Sequence, residues 1–549
     1  GFIGSAGMVI VLRDRAAIFV DGRYTVQVRG EVDSELFEYH HLVEESPAAW
    51  LATQLPAGSV VACDPRMHSL RWYRETLATL EKVGVELRAT TDNPVDEAWQ
   101  DRPAPLVKPA LLLDEAYTGE SSRRKRERIA AQLREQGADA ALVFAPDSVS
   151  WLLNVRGQDI PCLPVLQSFA LVQADASVTV LVEPGRIPDG FNSHVGEGVE
   201  VLSEAQAETV LAGCGGRTVL ADPDTANAWC QLTLESGGAT LLAAEDPVLL
   251  PKACKNPVEI EGTRNAHIRD AVAEVRFLAW LDSEVAAGRP HDEDSLARKL
   301  LSFRAVGEHF QEVSFDSISA AGGNAAMCHY NHLNVASPAP LPMDSVYLID
   351  SGGQYLDGTT DITRTVAIGD PGDEIRRMFT LVLKGHIALD QARFPAGTSG
   401  SQLDVLARQF LWQQGFDYDH GTGHGVGVFL SVHEGPQRIA KAASGVALRP
   451  GMIVSNEPGY YRDGAFGIRC ENLVVVRESS RRQDERPMLE FEAITLVPFD
   501  RRLVDIALLS EAELAWLNDY HRRVVELIGP RLEGADRDWL EQATAPLPG

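Results

Sequence analysis

The chain has 549 residues, 45% of them hydrophobic, and its 50 Lys and Arg against 78 Asp and Glu leave a formal charge of −28. That length suits three domains, each burying its own core, and the composition excludes the disordered and fibrous classes. The negative balance repels nucleic-acid phosphates, and no apolar run reaches the ~18 residues of a membrane span, so neither nucleic acid nor membrane is an expected partner.

In chain order, a hairpin of strands is predicted at 8–12 and 17–20, then a helix over 70–83. The chain opens at Gly1 in what reads like the middle of an element, which predicts a missing N-terminal segment. Prolines 103, 105 and 109 mark a joint over 101–109. A helix over 126–136 follows, with the basic run Arg123-Arg124-Lys125-Arg126 expected on a solvated face, then strands at 140–144, 169–172 and 178–182. A second joint at 243–251 precedes helices at 259–287 and 294–303. Beyond Ser314 the texture turns to strands rich in Gly and His, closed by a helix over 510–528 with Ser510 as N-cap. The expected architecture is α/β (α+β): two small mixed-sheet domains, 1–112 and 113–248, ahead of a third domain, 249–549. Seven scattered cysteines without a C-x-x-C pair exclude a disulfide framework and fit a reducing, cytoplasmic compartment.

The chemistry gathers in the third domain. Asp350 ends the apolar strand that starts at Ser345, and Asp361 opens Asp-Ile-Thr-Arg-Thr365, a second strand by its β-branched content. Their odd separation allows the two aspartates to face each other across an antiparallel pair. A two-residue turn at Asp357-Gly358 would instead set Gln354 opposite Asp361 and leave Asp350 about 13 Å away along the strand, so a shared site requires a looser connection. His420, His424 and His433 fall in His-Gly-Thr-Gly-His-Gly-Val-Gly and the stretch after it, where alternating glycines disfavour a helix and admit close backbone approach. Glu457 and Glu471 each adjoin strand-like runs. Two Asp, two Glu and one His form a hard, mostly oxygen donor set suited to manganese or magnesium. Four carboxylates balance two divalent cations, and such a pair serves metal-assisted hydrolysis.

These strings, Asp350-Ser-Gly-Gly-Gln-Tyr-Leu-Asp-Gly-Thr-Thr-Asp361, His420 to Gly427, Val432-His-Glu-Gly-Pro436 and Asn456-Glu-Pro-Gly-Tyr-Tyr461, closely resemble those of the aminopeptidase P family in its long, three-domain form. The resemblance extends to Gly4-Ser-Ala-Gly7, Asp21-Gly-Arg-Tyr24, Trp151 to Gly157 and Trp516 to His521. It implies a C-terminal pita-bread catalytic domain, a homodimer, two manganese ions, and release of the N-terminal residue from peptides with proline second, by hydroxide held at a dinuclear centre. Carried over by position, Asp350 binds one ion, His424 and Glu457 the other, and Asp361 and Glu471 bridge both. Glu457, His329, His420 and His433 become the catalytic residues, while Arg23, His329, His424 and His433 contact substrate and Arg469 orients carboxylates. His332 is read as structural.

Two rivals are a prolidase, which shares the ligand set but cuts dipeptides only, and a binding module that has lost catalysis. The extra domains disfavour the first and the full ligand set the second. A nucleophilic hydrolase lacks its G-x-S-x-G elbow here.

Overall fold

The computed structural model describes residues 2–4, 6–443, 445–480 and 486–548, so Ser5 of the Gly4–Gly7 motif lies outside the described residues. The chain divides into two compact units, Gly1–Ile160 with Pro164–Lys252, and Pro161–Leu163 with Ala253–Gly549.

The first unit holds two separate mixed arrangements. Met8–Val11 runs antiparallel to Ala16–Val20, which pairs in parallel with Phe37–His41. A six-stranded sheet runs in the order Val199–Leu202, Val178–Val182, Ser168–Gln173, Ala140–Val143, Thr218–Ala221, Thr240–Ala243, with parallel and antiparallel pairs.

The helix Ser122–Glu135 corrects one expectation. Its buried residues are Ser122, Lys125, Arg126, Ile129, Ala130 and Leu133, a helical stripe that takes in half of the basic run. Lys125 Nζ donates to the Trp151 carbonyl at 3.0 Å and to Asn154 Oδ1 at 2.8 Å. Arg126 donates to the carbonyls of Ala176, Val195 and Glu197 at 2.8–3.0 Å. These cations are drawn inward by carbonyls at chain turns, which accept their hydrogen bonds; within the run, Arg123 and Arg124 alone are solvated.

The second unit starts on the long helix Pro257–Ala286. A reciprocal capping box between Asn256 and Glu259, with Pro257 in the first turn, fixes its start. Its buried Asp270 and Glu274 receive the guanidinium of Arg304, from the helix Glu293–Arg304, at 2.6–3.1 Å. Two antiparallel layers follow. One pairs Ile318–Ala321, Ser345–Ser351 and Ile362–Ile368. The other runs Arg393–Pro395, Met488–Ala493, Asn472–Glu478, Ile453–Asn456, Gly423–Gly425, Glu434–Ile439. Helices Gly372–Asp390 and Glu511–Ile528 share one apolar core with the first layer, through Phe379, Val382, Leu517 and Val524 against Val346 and Val366. Ser510 caps the last helix as expected. This is the α/β pita-bread arrangement. All seven cysteines are free thiols, and no described helix is long and apolar enough to cross a membrane.

Candidate metal centre

The first two carboxylates ride on a hairpin whose strands are buried on both faces, which is why they read as near-continuous β-branched and apolar runs. Asp350 pairs with Thr363, Ser351 with Ile362, Gln354 with Thr359 and Tyr355 with Gly358. One register therefore holds along the hairpin, with Leu356-Asp357 at its tip. The turn is tight, not loose, and sits one residue earlier than the Asp-Gly signal indicated. Asp350 and Asp361 are not directly opposite: Asp361 falls level with Gly352, diagonal to Asp350 on the same face, within reach of a shared ligand. The register slipped from expectation because Gly358 serves packing. A Cβ there would lie 2.8 Å from Ala266 Cβ and 3.0 Å from Thr263 Cα of the long helix.

His424 occupies the middle of the short strand Gly423–Gly425. Both flanking glycines are forced by crowding, since a Cβ at Gly423 would sit 2.0 Å from the Ser455 carbonyl and one at Gly425 2.3 Å from that of Glu434. His424 Nδ1 lies 2.9 Å from the Gly425 carbonyl, an acceptor that fixes the proton on Nδ1 and leaves Nε2 as the ligand atom. Nε2 stands 3.4 Å from both Asp361 Oδ2 and Glu457 Oε1. Glu457 follows the strand Ile453–Asn456, its N–H on the Thr422 carbonyl at 2.8 Å and its Oε1 accepting from Ser455 at 3.1 Å. Glu471 precedes the strand Asn472–Glu478 and accepts from the Thr363 hydroxyl at 2.7 Å.

Ligand atoms of Asp361, His424 and Glu471 all lie within 4.8 Å of one another. Glu457 joins them through His424. Asp350 joins through Arg469, whose guanidinium donates to Asp350 Oδ2 at 2.6 Å and to the Thr363 hydroxyl at 3.0 Å. Three of the five expected residues, Asp361, His424 and Glu471, thus gather their ligand atoms in one group, Glu457 borders it through His424, and Arg469 fastens Asp350 beside it. His433 stacks edge-on to His424 at 4.2 Å between ring centroids. His420 Nε2 accepts from the Tyr461 hydroxyl at 2.8 Å, and that hydroxyl accepts from Arg469 at 2.7 Å. His329 is near enough to His420 to influence it electrostatically, and its neighbour Cys328 feels Arg469, Tyr461 and Glu457. Arg23 belongs to the other compact unit, where it pairs with Asp21 at 2.7 Å. His332 is buried 3.9 Å from Asp294.

Sequence reading passed over Thr363, Ser455 and Tyr461, the hydroxyls that orient Glu471, Glu457 and His420. Two of them were accessible, because Thr363 and Ser455 stand two residues from Asp361 and Glu457 and so share their strand faces.

Burial, then the charges of Asp361, Asp350 and Glu457, drive the Glu471 carboxyl well above its ordinary range. Burial likewise raises Asp350 to about 7, against Arg469 and with Asp361 and Glu457, and raises Glu457 against His424 and Arg469. Burial alone would lower His424, but its hydrogen bond to Asp361 and the charge of Glu457 carry it up to about 9. Burial and Arg469 push His420 down to about 3, so its imidazole is neutral. Four crowded carboxylates facing one guanidinium and the His424 imidazolium are still short of positive charge. Asp350 Oδ1 is buried without a hydrogen-bond partner among the described residues. Hard oxygen donors, a preset imidazole and an unclaimed carboxylate oxygen fit divalent cations.

Fold and site together define a metal-dependent hydrolase of the pita-bread class. A profile described as metallopeptidase family M24 matches residues 261–478, and one for the C-terminal region of peptidase_M24 matches 487–547. Two described as creatinase/prolidase N-terminal domain match 1–92 and 101–259. A probable Xaa-Pro aminopeptidase P of Tuber melanosporum is 38% identical over all of this chain and 92% of its own length. Aminopeptidase P1 of Arabidopsis thaliana is 36% identical over the same shares. The crystal structure of X-prolyl aminopeptidase from Caenorhabditis elegans, described as a cytosolic enzyme with a di-nuclear active site, superposes with a TM-score of 0.94 at 34% identity, covering 99% of this chain and 90% of that one. The chain belongs to the Xaa-Pro aminopeptidase P family of M24 metallopeptidases.

Proposed function

We propose that the chain removes the N-terminal residue from peptides with proline at the second position, with two divalent cations, manganese by preference, held by Asp350, Asp361, His424, Glu457 and Glu471. The convergence of Asp361, His424 and Glu471 ligand atoms within 4.8 Å carries this reading. Bound there, the cations supply Lewis acidity to the scissile carbonyl and lower the pKa of water.

The chain's own residues do the rest. Glu457, held by Ser455 and the Thr422 carbonyl, takes the proton of the attacking water and returns it to the proline nitrogen, a tertiary-amide leaving group that departs only once protonated. His329 and His433 donate to the oxygen that gains charge as the carbonyl becomes tetrahedral. His420 accepts from Tyr461, which keeps the far side of the site in one protonation pattern. Arg469 holds Asp350 and Thr363 in place. Arg23 contacts substrate, and the working form is a cytoplasmic homodimer.

Glu457→Gln tests the core of the reading: with metal still bound, turnover falls by about 10²–10⁴, and near-normal turnover refutes it. Cleavage of Xaa-Pro-Yaa-Zaa as well as Xaa-Pro is expected, whereas exclusive cleavage of the dipeptide makes the chain a prolidase.

A further inference from the structure

His329 sits on an irregular stretch between the strand Ile318–Ala321 and the strand Ser345–Ser351, with only two short 3-10 turns, Gly322–Ala326 and His332–Asn334, for internal regularity. Backbone pairing reaches only its far end, where Asp292 bridges Pro340 and the Leu341 N–H donates to the His291 carbonyl at 2.8 Å, so side chains must help to set the course of the part that carries His329. The fixing group is Glu293, fully buried at the first position of the helix Glu293–Arg304. Its Oε1 accepts from the Ala321 N–H at 2.8 Å and the Asn324 amide at 2.9 Å. Its Oε2 accepts from the Tyr330 hydroxyl at 2.6 Å and the Ala339 N–H at 2.9 Å. One carboxylate thereby closes both ends of the stretch, residues 321 and 339, and grips Tyr330 beside His329 in its middle. Tyr330 is itself buried among Ile318, Ala320 and Leu348.

Glu293 makes no ion pair among the described residues. Its two oxygens are met instead by four donors at the start of the helix. A glutamine could not replace it, because its NH2 would face two of those donors.

We propose that Glu293 is a positioning residue for His329: through Ala321, Asn324, Tyr330 and Ala339 it sets the imidazole against the substrate. The inference rests on His329 touching substrate as read above. The test uses the full chain loaded with manganese, the variants Glu293→Gln, Tyr330→Phe and His329→Ala, and both double variants with His329→Ala. Metal content, kcat and KM are measured on an Xaa-Pro-Yaa peptide. Glu293→Gln should lower kcat/KM on the order of tenfold to a hundredfold, and Tyr330→Phe less, each with metal content unchanged. Neither should lower it further once His329 is alanine.

Losses that add in the double variants, loss of metal in step with activity, or an unchanged kcat/KM in Glu293→Gln each overturn the proposal. Should Glu293→Gln fail to fold, Tyr330→Phe with its double variant decides by the same criteria. If His329→Ala alone leaves kcat/KM unchanged, the role of His329 falls, and the positioning role with it. Additivity beside an impaired His329→Ala removes only Glu293.

Discussion

Asp246 in the first unit and Asp350 in the second are alike at short range. Each is a buried aspartate with one oxygen hydrogen-bonded and the other without a partner among the described residues. In each case burial is the largest influence and raises the carboxyl, to about 6 for Asp246 and about 7 for Asp350. Their company differs. Asp246 has the Val248 N–H at 2.8 Å and the nearby pair of Lys252 with Asp147. Asp350 shares its surroundings with Asp361, Glu457 and Glu471; the charges of Asp361 and Glu457 add to its upward shift, and its own charge adds to that of Glu471. A buried carboxylate with one oxygen unpartnered, set beside an ion pair that already claims its lysine, is a local destabilisation that protonation relieves. Several carboxylates on one histidine make a place for cations.

The largest test of that contrast is Asp350→Asn against Asp246→Asn. The first should reduce hydrolysis to background and lose bound manganese; the second should keep both. Measuring activity and metal content on purified protein decides, and metal loss in Asp246→Asn erases the distinction. Next comes the thermal response to manganese itself. At a concentration a hundred times the dissociation constant, binding stabilises by about 2.7 kcal/mol. The rise in Tm should appear in the native chain and in Asp246→Asn but be absent from Asp350→Asn.

A third effect isolates Asp246. Its folded pKa of about 6 lies above the ordinary 3.8, so the folded state holds the proton more tightly. The associated stability is present below about pH 4 and is lost as pH rises towards about 6. Asp246→Asn should therefore raise stability at pH 7 by up to about 3 kcal/mol and change little at pH 4. Denaturant melts at the two pH values read this directly. Equal effects at both would mean that the charge of Asp246 is not what destabilises it.

The five candidate ligands were legible because each lies inside a short string whose glycines and neighbours are themselves informative, such as Gly423-His424-Gly425 and Asp350-Ser-Gly-Gly. The sequence carried most elements for the same reason, since local period and caps such as Ser510 act over a few residues. It did not carry the hairpin register. Asp357-Gly358 looks like a turn from its own chemistry, but Gly358 is demanded by the approach of the helix Pro257–Ala286, nearly a hundred residues earlier. Nor could it place Lys125 and Arg126, because the carbonyls they satisfy lie between 26 and 71 residues away. A charge run reads as solvated until its distant acceptors are known.

The smallest effect lies one layer out from the carboxylates, at Tyr461. Its hydroxyl accepts from Arg469 and donates to His420, so it is the joint between the group that holds Asp350 and the neutral imidazole. Tyr461→Phe keeps the ring, which meets His420 edge-on at 5.3 Å, and removes only the joint. One donor of a buried guanidinium is then left unsatisfied, at about 1–3 kcal/mol of stability. Arg469 retains Asp350 and Thr363, so metal content should hold while kcat/KM falls several-fold. Asp246→Asn and Tyr461→Phe therefore move stability in opposite directions at pH 7, although each deletes one polar feature from a buried site. The first relieves an uncompensated charge, and the second creates an uncompensated donor. If Tyr461→Phe lost metal as Asp350→Asn should, the hydroxyl would belong to the cation cage itself, and Arg469 alone would be too weak to hold Asp350 in it.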